Sequence, residues 1–361
     1  MFMIELLPAA HGDAIWIEYG AASRPYRIVI DGGPAPTYEA GLRRRILDLP
    51  ESKRKFELMV VTHIDADHID GSLILLQELD ALKVGIDQLW FNGWTQLPDA
   101  DKAPGTYAPL QGEFLGGLIE VKKLHDAWNK FFDHRAVAVP DDGPLPFVDL
   151  AGGARLTLLG PTMADLRRLR ARWTAAIRDF SPGDTKEALS RLAARREYRP
   201  PALPATFGPP EYGDDRSPAN GSTIACVLDY KGVSVLLAGD AHARSLADSL
   251  KRLADERSVA RLRFDAVKLP HHGSMSNISE NWLQWVDCQR WLISTNGAVF
   301  NHPDLQTAEL LAKRYTLPAL LCNYGNIATQ LDKQALGRWT TAGPDLGTAG
   351  GLHLILPAGA G

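Results

Sequence analysis

The sequence predicts an α/β fold built as a sandwich of mixed β-sheets. Three observations point there. Short apolar runs rich in β-branched residues alternate with helical stretches. Some neighbouring runs are close enough for hairpins, while others need crossover helices. The alternation occurs twice, on either side of a region that breaks it.

In the first half, residues 14–19 and 26–30 are strands split by a Gly-, Ser- and Pro-containing hairpin segment. A helix is expected over 38–47, a buried strand over 56–62, a helix over 71–82 and a strand over 86–91. In the second half, strands 223–230 and 233–238 join at Lys231-Gly232. A helix over 243–254, strands at 264–269 and 291–294, a helix over 307–315 and strands at 319–322 and 352–356 complete the set. The chain reads as a single domain over 1–361, with insertions at about 95–145 and 163–215. Residues 200–218, rich in Pro and Gly, read as a loop.

With 361 residues, 45% of them hydrophobic, the chain can bury a large core and is not of the disordered class. A formal charge of -4 argues against a globally basic nucleic-acid binder. Cys226, Cys288 and Cys322 are widely spaced and read as reduced thiols. The first residues lack a basic stretch of the signal-peptide type, and no apolar run reaches the roughly 18 residues of a membrane span. The expectation is a cytoplasmic protein with no membrane partner.

Four segments carry chemistry, and each follows a strand. In Thr62-His63-Ile64-Asp65-Ala66-Asp67-His68, four metal-binding side chains crowd the end of an apolar run. Imidazole nitrogen with carboxylate oxygen suits Zn²⁺, Mn²⁺ or Fe²⁺. His63 and Asp65 can face one way and Asp67 and His68 the other, which serves two ions better than one. In Leu236-Leu237-Ala238-Gly239-Asp240, a single carboxylate at a strand end is placed to bridge them. In Leu269-Pro270-His271-His272-Gly273, adjacent residues on an extended chain would point to opposite sides. One is then a ligand, His271 by preference, and the other, His272, contacts substrate or supports a ligand from behind. Asp31, in Ile30-Asp31-Gly32-Gly33, is placed to hydrogen-bond a ligand histidine and fix its tautomer. His302 in Asn301-His302-Pro303 is a further candidate, for an oxyanion or a leaving group. His125, His134, His242 and His353 read as structural or solvated.

Taken together, Asp31, His-x-Asp-x-Asp-His, Asp240 and His271-His272 resemble the metallo-β-lactamase superfamily. The chain is most similar within it to ComEC-like hydrolases, through His11-Gly12-Asp13-Ala14, residues 30–33 and 62–71, Asn220-Gly221-Ser222, residues 236–240 and 268–274, and His302-Pro303. The resemblance implies a metallo-β-lactamase-like, four-layer αβ/βα sandwich of two mixed sheets with helical insertions. It implies metals at one edge, with Asp240 bridging, His63 at the first site, and Asp67 and His68 at the second. No histidine precedes Asp240 to complete the first site; Asn220 stands there and is read as an outer support, like Asp31. The second site reads as Asp67, His68, Asp240 and His271. The first, with His63, Asp65 and Asp240, is thin, so two ions are expected, one weakly held. The oxygen-rich set moves the expectation from Zn²⁺ toward Mn²⁺.

The function expected is hydrolysis of a phosphodiester, nucleic acid included, by a metal-bound hydroxide, with Asp67, His272 and His302 as catalytic residues. Residues 164–200 hold ten basic and five acidic side chains, so Arg167 to Arg199 would hold further phosphates if they border the site. Two alternatives stay open: hydrolysis of a small ester, lactone, thioester or β-lactam, and a non-catalytic metal-stabilised binding protein. An aromatic pocket from Trp90, Phe91, Trp94 and Tyr107 would favour a small or nucleobase-bearing substrate.

Overall fold

Burial with a period of two sorts the strand residues of the first half into two cores. Phe2, Ile4, Leu6, Ile15, Ile17, Ile28, Ile30, Leu58 and Val60 fall in one. Their neighbours Met3, Trp16, Val29 and Met59 fall in the other. A strand whose two faces both meet apolar layers has this property. The computed structural model describes residues 1–99, 110–176, 181–194 and 213–359. Among these, the first sheet has six strands in the order Leu352–Leu356, Phe2–Leu6, Ile15–Ala21, Arg24–Ile30, Leu58–Val60, Leu89–Trp90. The second has eight: Thr340–Ala342, Ala319–Cys322, Arg290–Ile293, Ala266–Lys268, Val233–Leu237, Cys226–Tyr230, Arg155–Leu158, Phe147–Asp149.

The core between the sheets continues into helices Ala243–Glu256 and Leu305–Arg314, which contribute Leu246, Leu250, Leu253 and Leu311. The other core joins the first sheet to helix Ala66–Leu82 through Ile69, Leu73, Leu76 and Leu79. The layers run helix, sheet, sheet, helix, as the sequence predicts. Each sheet mixes antiparallel strands with a parallel run. Arg24–Ile30, Leu58–Val60 and Leu89–Trp90 are parallel in the first. Val233–Leu237 through Thr340–Ala342 are parallel in the second. Parallel strands bring their carboxyl ends to one edge, where α/β sheets place their ligands.

The structure departs from the sequence reading in several places. The helix expected from residue 71 begins at Ala66, so Asp67 and His68 lie in its first turn. The described parts of the insertions hold helices Leu110–Val121, Met163–Ala176 and Thr185–Ala194. Phe114, Leu115, Leu166 and Trp173 from these helices enter the outer core. Strands Phe2–Leu6 and Thr340–Ala342, the hairpin 147–158 and helix Gly325–Ala335 were not expected. Among the described residues, Trp90, Phe91 and Trp94 do not line a common pocket. Trp90 points into the inter-sheet core and Phe91 into the outer one, while Trp94 packs on Trp173 with the Arg170 guanidinium over its ring. Tyr107 lies outside the described residues.

Candidate metal centre

Five of the candidate residues sit just past a strand end on the shared edge. Asp31 follows Arg24–Ile30, and His63 follows Leu58–Val60. Asp240 follows Val233–Leu237, and His271 and His272 follow Ala266–Lys268. Close backbone approach at two glycine positions lets these ends converge. A Cβ on Gly32 would stand 2.2 Å from Ser72 N, and one on Gly12 would stand 1.8 Å from Asp67 O. Any side chain at either position would push the helix carrying Asp67 and His68 away from the sheet.

Four imidazoles share one arrangement: Nδ1 is committed to an oxygen, and Nε2 faces Asp240. His68 Nδ1 donates to Asp31 Oδ2 at 2.8 Å. His63 Nδ1 lies 3.0 Å from Thr62 Oγ1, whose own hydrogen goes to Asp31 Oδ2 at 2.7 Å, so the hydroxyl accepts from the ring. His272 Nδ1 donates to the Ser294 carbonyl at 2.8 Å, and His271 Nδ1 to Asn277 Oδ1 at 2.8 Å. The Nε2 atoms of His68, His272, His63 and His271 then stand 3.3, 3.8, 3.9 and 3.9 Å from Asp240 Oδ2. Asp67 Oδ2 is 3.4 Å from His272 Nε2, and Asp65 Oδ2 is 3.6 Å from His63 Nε2. These separations are long for hydrogen bonds and suit atoms that share an ion at about 2.0–2.2 Å each.

The donor set fits divalent metal. Nε2 of His63, His68 and His272, and Oδ1 of Asp240 and Asp13, are buried with no hydrogen-bond partner. A buried polar atom left unmatched is costly, and a cation that displaces any ring protons satisfies several at once. Ligand atoms lie within 4.8 Å of one another in three overlapping sets: His63, His68, Asp240; Asp67, His68, His272; and Asp13, Asp240, His272. Histidines whose other nitrogen is held by a carboxylate or carbonyl are the usual form of metal-binding imidazole.

The electrostatics favour positive charge at this point. Burial alone would raise the Asp240 pKa, but His68, His272 and His271 outweigh it and hold the carboxyl well below the usual range. Asp67 is lowered for the same reason, by His68 and His272 against burial. Burial would lower His272, yet Asp240 and Asp13 lift it to about 9. Asp240, Asp67 and Asp31 likewise raise His68 against burial. The field that retains protons on these rings is one that attracts a divalent cation.

The structure thus brings together His63, Asp65, Asp67, His68, Asp240, His271 and His272, with Asp31 behind them. It exchanges the two late histidines, because His272, and not His271, faces Asp67. Both residues have positive φ, 47° and 56°, so the pair is not extended and both rings turn to the same carboxylate. Asn220 donates to Asp215 Oδ2 at 2.7 Å rather than to a ligand ring. His302 meets His271 edge to face at 5.4 Å, and Phe300 links it to His11, 6.0 Å from each ring. Burial lowers the pKa of His302 and of His11, which keeps both neutral near pH 7.

Sequence reasoning matched Asp13 and Lys268 within longer segments but gave neither a role. Lys268 Nζ donates to Asp13 Oδ2 with both side chains fully buried, and Asp13 Oδ1 lies 3.4 Å from His272 Nδ1. The available signal was a lysine inside the otherwise apolar run 266–269. Asp215 and Asn277 were missed. Among the described arginines, Arg168 pairs with Asp165 at 2.7 Å, Arg191 with Glu187 at 2.8 Å, and Arg170 donates to Leu97 O at 2.7 Å. Arg178, Arg195, Arg196 and Arg199 lie outside the described residues. No described helix is long and apolar enough to cross a membrane.

No family model and no curated protein matches the chain. Among solved structures it is similar to a mutant of CmlA beta-hydroxylase, at 12% identity and a TM-score of 0.42, over 98% of this chain and 54% of the other. The chain spans about half the length of that protein. The functional reading therefore rests on the site itself.

Proposed function

We propose that the chain is a metal-dependent hydrolase of phosphodiesters, a stand-alone relative of ComEC-like hydrolases. The observation that carries this is the convergence of four Nε2 atoms on Asp240, each with its Nδ1 committed elsewhere. His63, Asp65 and Asp240 would hold one Zn²⁺ or Mn²⁺ ion, and Asp67, His68, Asp240 and His272 the other. Bound there, the ions supply Lewis-acid polarisation of a substrate oxygen and ready deprotonation of water at neutral pH. Asp240 holds the two groups of ligands around one carboxylate, and Asp31 fixes the orientation of His68 directly and of His63 through Thr62. Asp65, its side chain 42% exposed, marks the open side from which substrate would enter. His302 and His11, both neutral, would offer N–H groups to substrate oxygens at the rim. A purely structural ion would need four closed ligands, and this site offers more, with an open side.

A second reading, hydrolysis of a small ester, lactone, thioester or β-lactam, gains from one observation. Arg168, Arg170 and Arg191 are engaged within the insertion rather than lined up for a polyanion. Metal analysis of the purified chain, followed by turnover of a generic phosphodiester, a lactone and a β-lactam with Zn²⁺ and with Mn²⁺, separates the readings. Phosphodiester turnover that disappears in Asp240→Ala and His68→Ala, with fold retained, supports the first. Exclusive turnover of a carbonyl substrate selects the second, and a chain that takes up no metal refutes both.

A further inference from the structure

The orientation of the Asn277 amide is fixed by what surrounds it. Its nitrogen lies 3.0 Å from Asp215 Oδ2 and 3.2 Å from the carbonyl oxygens of both Asp240 and Ala241. All three are acceptors, so the nitrogen faces them and the amide oxygen faces His271. His271 must then donate from Nδ1, which leaves Nε2 with a bare lone pair 3.9 Å from Asp240 Oδ2. Asn277 is completely buried, so this orientation does not exchange with water. Asp215 is in turn held by the Ser217 N–H at 2.8 Å and by Asn220 Nδ2 at 2.7 Å. Its backbone N–H donates to Ser276 O at 3.2 Å. Segment 213–222, which leads out of the second insertion, is laced in this way to the loop that carries His271.

We propose that Asp215 and Asn277 position His271 as the ligand that completes the first metal site, beside His63, Asp65 and Asp240. That site is then built only when segment 213–222 is docked. The inference rests on the metal-centre reading above. The second set of ligands takes nothing from the segment: His68 is oriented by Asp31 and His272 by Ser294. The two sites therefore differ in their dependence on the insertion. Asp215 and Asn277 touch no reacting atom; they act through the ring of His271.

Equilibrium dialysis and calorimetric titration of the full chain with Mn²⁺, and separately with Zn²⁺, test this. The wild type takes two ions. Asn277→Ala and Asp215→Ala each keep one and weaken the other by about 10–100-fold, the usual loss when a support of a metal ligand is removed, and His271→Ala, which removes the ligand itself, weakens that ion at least as much. A merely structural role for Asn277 would lower the melting temperature without removing one ion of two. Wild-type affinity at both sites in Asn277→Ala, or equal weakening of both, overturns the proposal. If Asn277→Ala does not fold, Asp215→Ala decides alone: one weakened ion supports the proposal, and two unchanged ions overturn it. A wild type that takes up no ion fails the metal-centre reading and this inference with it. Two ions in the wild type and in every variant remove only the positioning role.

Discussion

Asp31→Asn changes two atoms' worth of chemistry at the point where two ligand rings are held. The carboxylate accepts three hydrogen bonds: Thr62 N at 2.8 Å on Oδ1, and Thr62 Oγ1 at 2.7 Å and His68 Nδ1 at 2.8 Å on Oδ2. An amide has one oxygen to offer. If its nitrogen replaces Oδ2, the His68 ring must move its proton to Nε2, and a donor then points at Asp240. If its nitrogen replaces Oδ1, the buried Thr62 N–H loses its acceptor, at a cost of about 1–3 kcal/mol. The second arrangement keeps the ring tautomer and is the one expected. The remaining bonds also lose their charge assistance, which halves their strength roughly. The outcome is a fold weakened by about 1–3 kcal/mol and metal affinity reduced about 10–100-fold. Chelator competition followed by an absorbing indicator measures the affinity, and urea denaturation measures the stability. Unchanged metal affinity in a folded Asp31→Asn protein would refute the claim that Asp31 holds the ligands in place.

Metal uptake should also depend on pH. His272 carries a pKa raised to about 9, so an ion must displace its proton at any lower pH, and apparent affinity should fall about tenfold per displaced proton per pH unit. For the metal-free chain the raised His272 value contributes stability that is complete below about 6.5 and is lost as pH rises through about 9, and the raised His68 value acts in the same direction. Denaturation midpoints with a chelator present, taken across that window, check the sign; a rise in stability there contradicts the charge arrangement. Lys268→Met leaves Asp13 buried without its partner and should cost about 3–5 kcal/mol, much of it recovered in Lys268→Met/Asp13→Asn. Additive effects in that double-mutant cycle would show the pair to be uncoupled. Arg170→Glu should destabilise by about 1–2 kcal/mol, since the guanidinium lies 4.1 Å over Trp94 and donates to Leu97 O. If it instead leaves stability intact and flattens the salt dependence of oligonucleotide binding, the arginine serves a polyanion after all.

Much of the centre was legible because each ligand follows an apolar run, and such runs report strands whatever the tertiary context. Asp31, His63, Asp240 and His271 were found this way. What escaped detection depends on contacts across the chain or on backbone conformation. Nothing near Asp13 in sequence announces Lys268, which meets it across the two sheets. The roles of His271 and His272 turn on positive φ at two non-glycine residues, a conformation their neighbours do not signal. Asp215 sits in a segment whose Pro and Gly content reads only as a loop, and its function comes from docking on Asn277. The strand Phe2–Leu6 alternates less clearly than its partners because both of its faces are covered.

The ligands come from both halves of the chain, and this sets an order of events during synthesis. Asp31, His63 and His68 leave the ribosome long before Asp240 and His272 are made. At roughly 5–20 residues per second, the interval from Asp31 to His272 is on the order of 10–50 s. Throughout it the early helix and sheet hold charged groups whose counterparts do not yet exist. Any ion captured early would be held by an incomplete set of donors and could be exchanged. A metal bound at this centre would therefore be selected only after the last strands close.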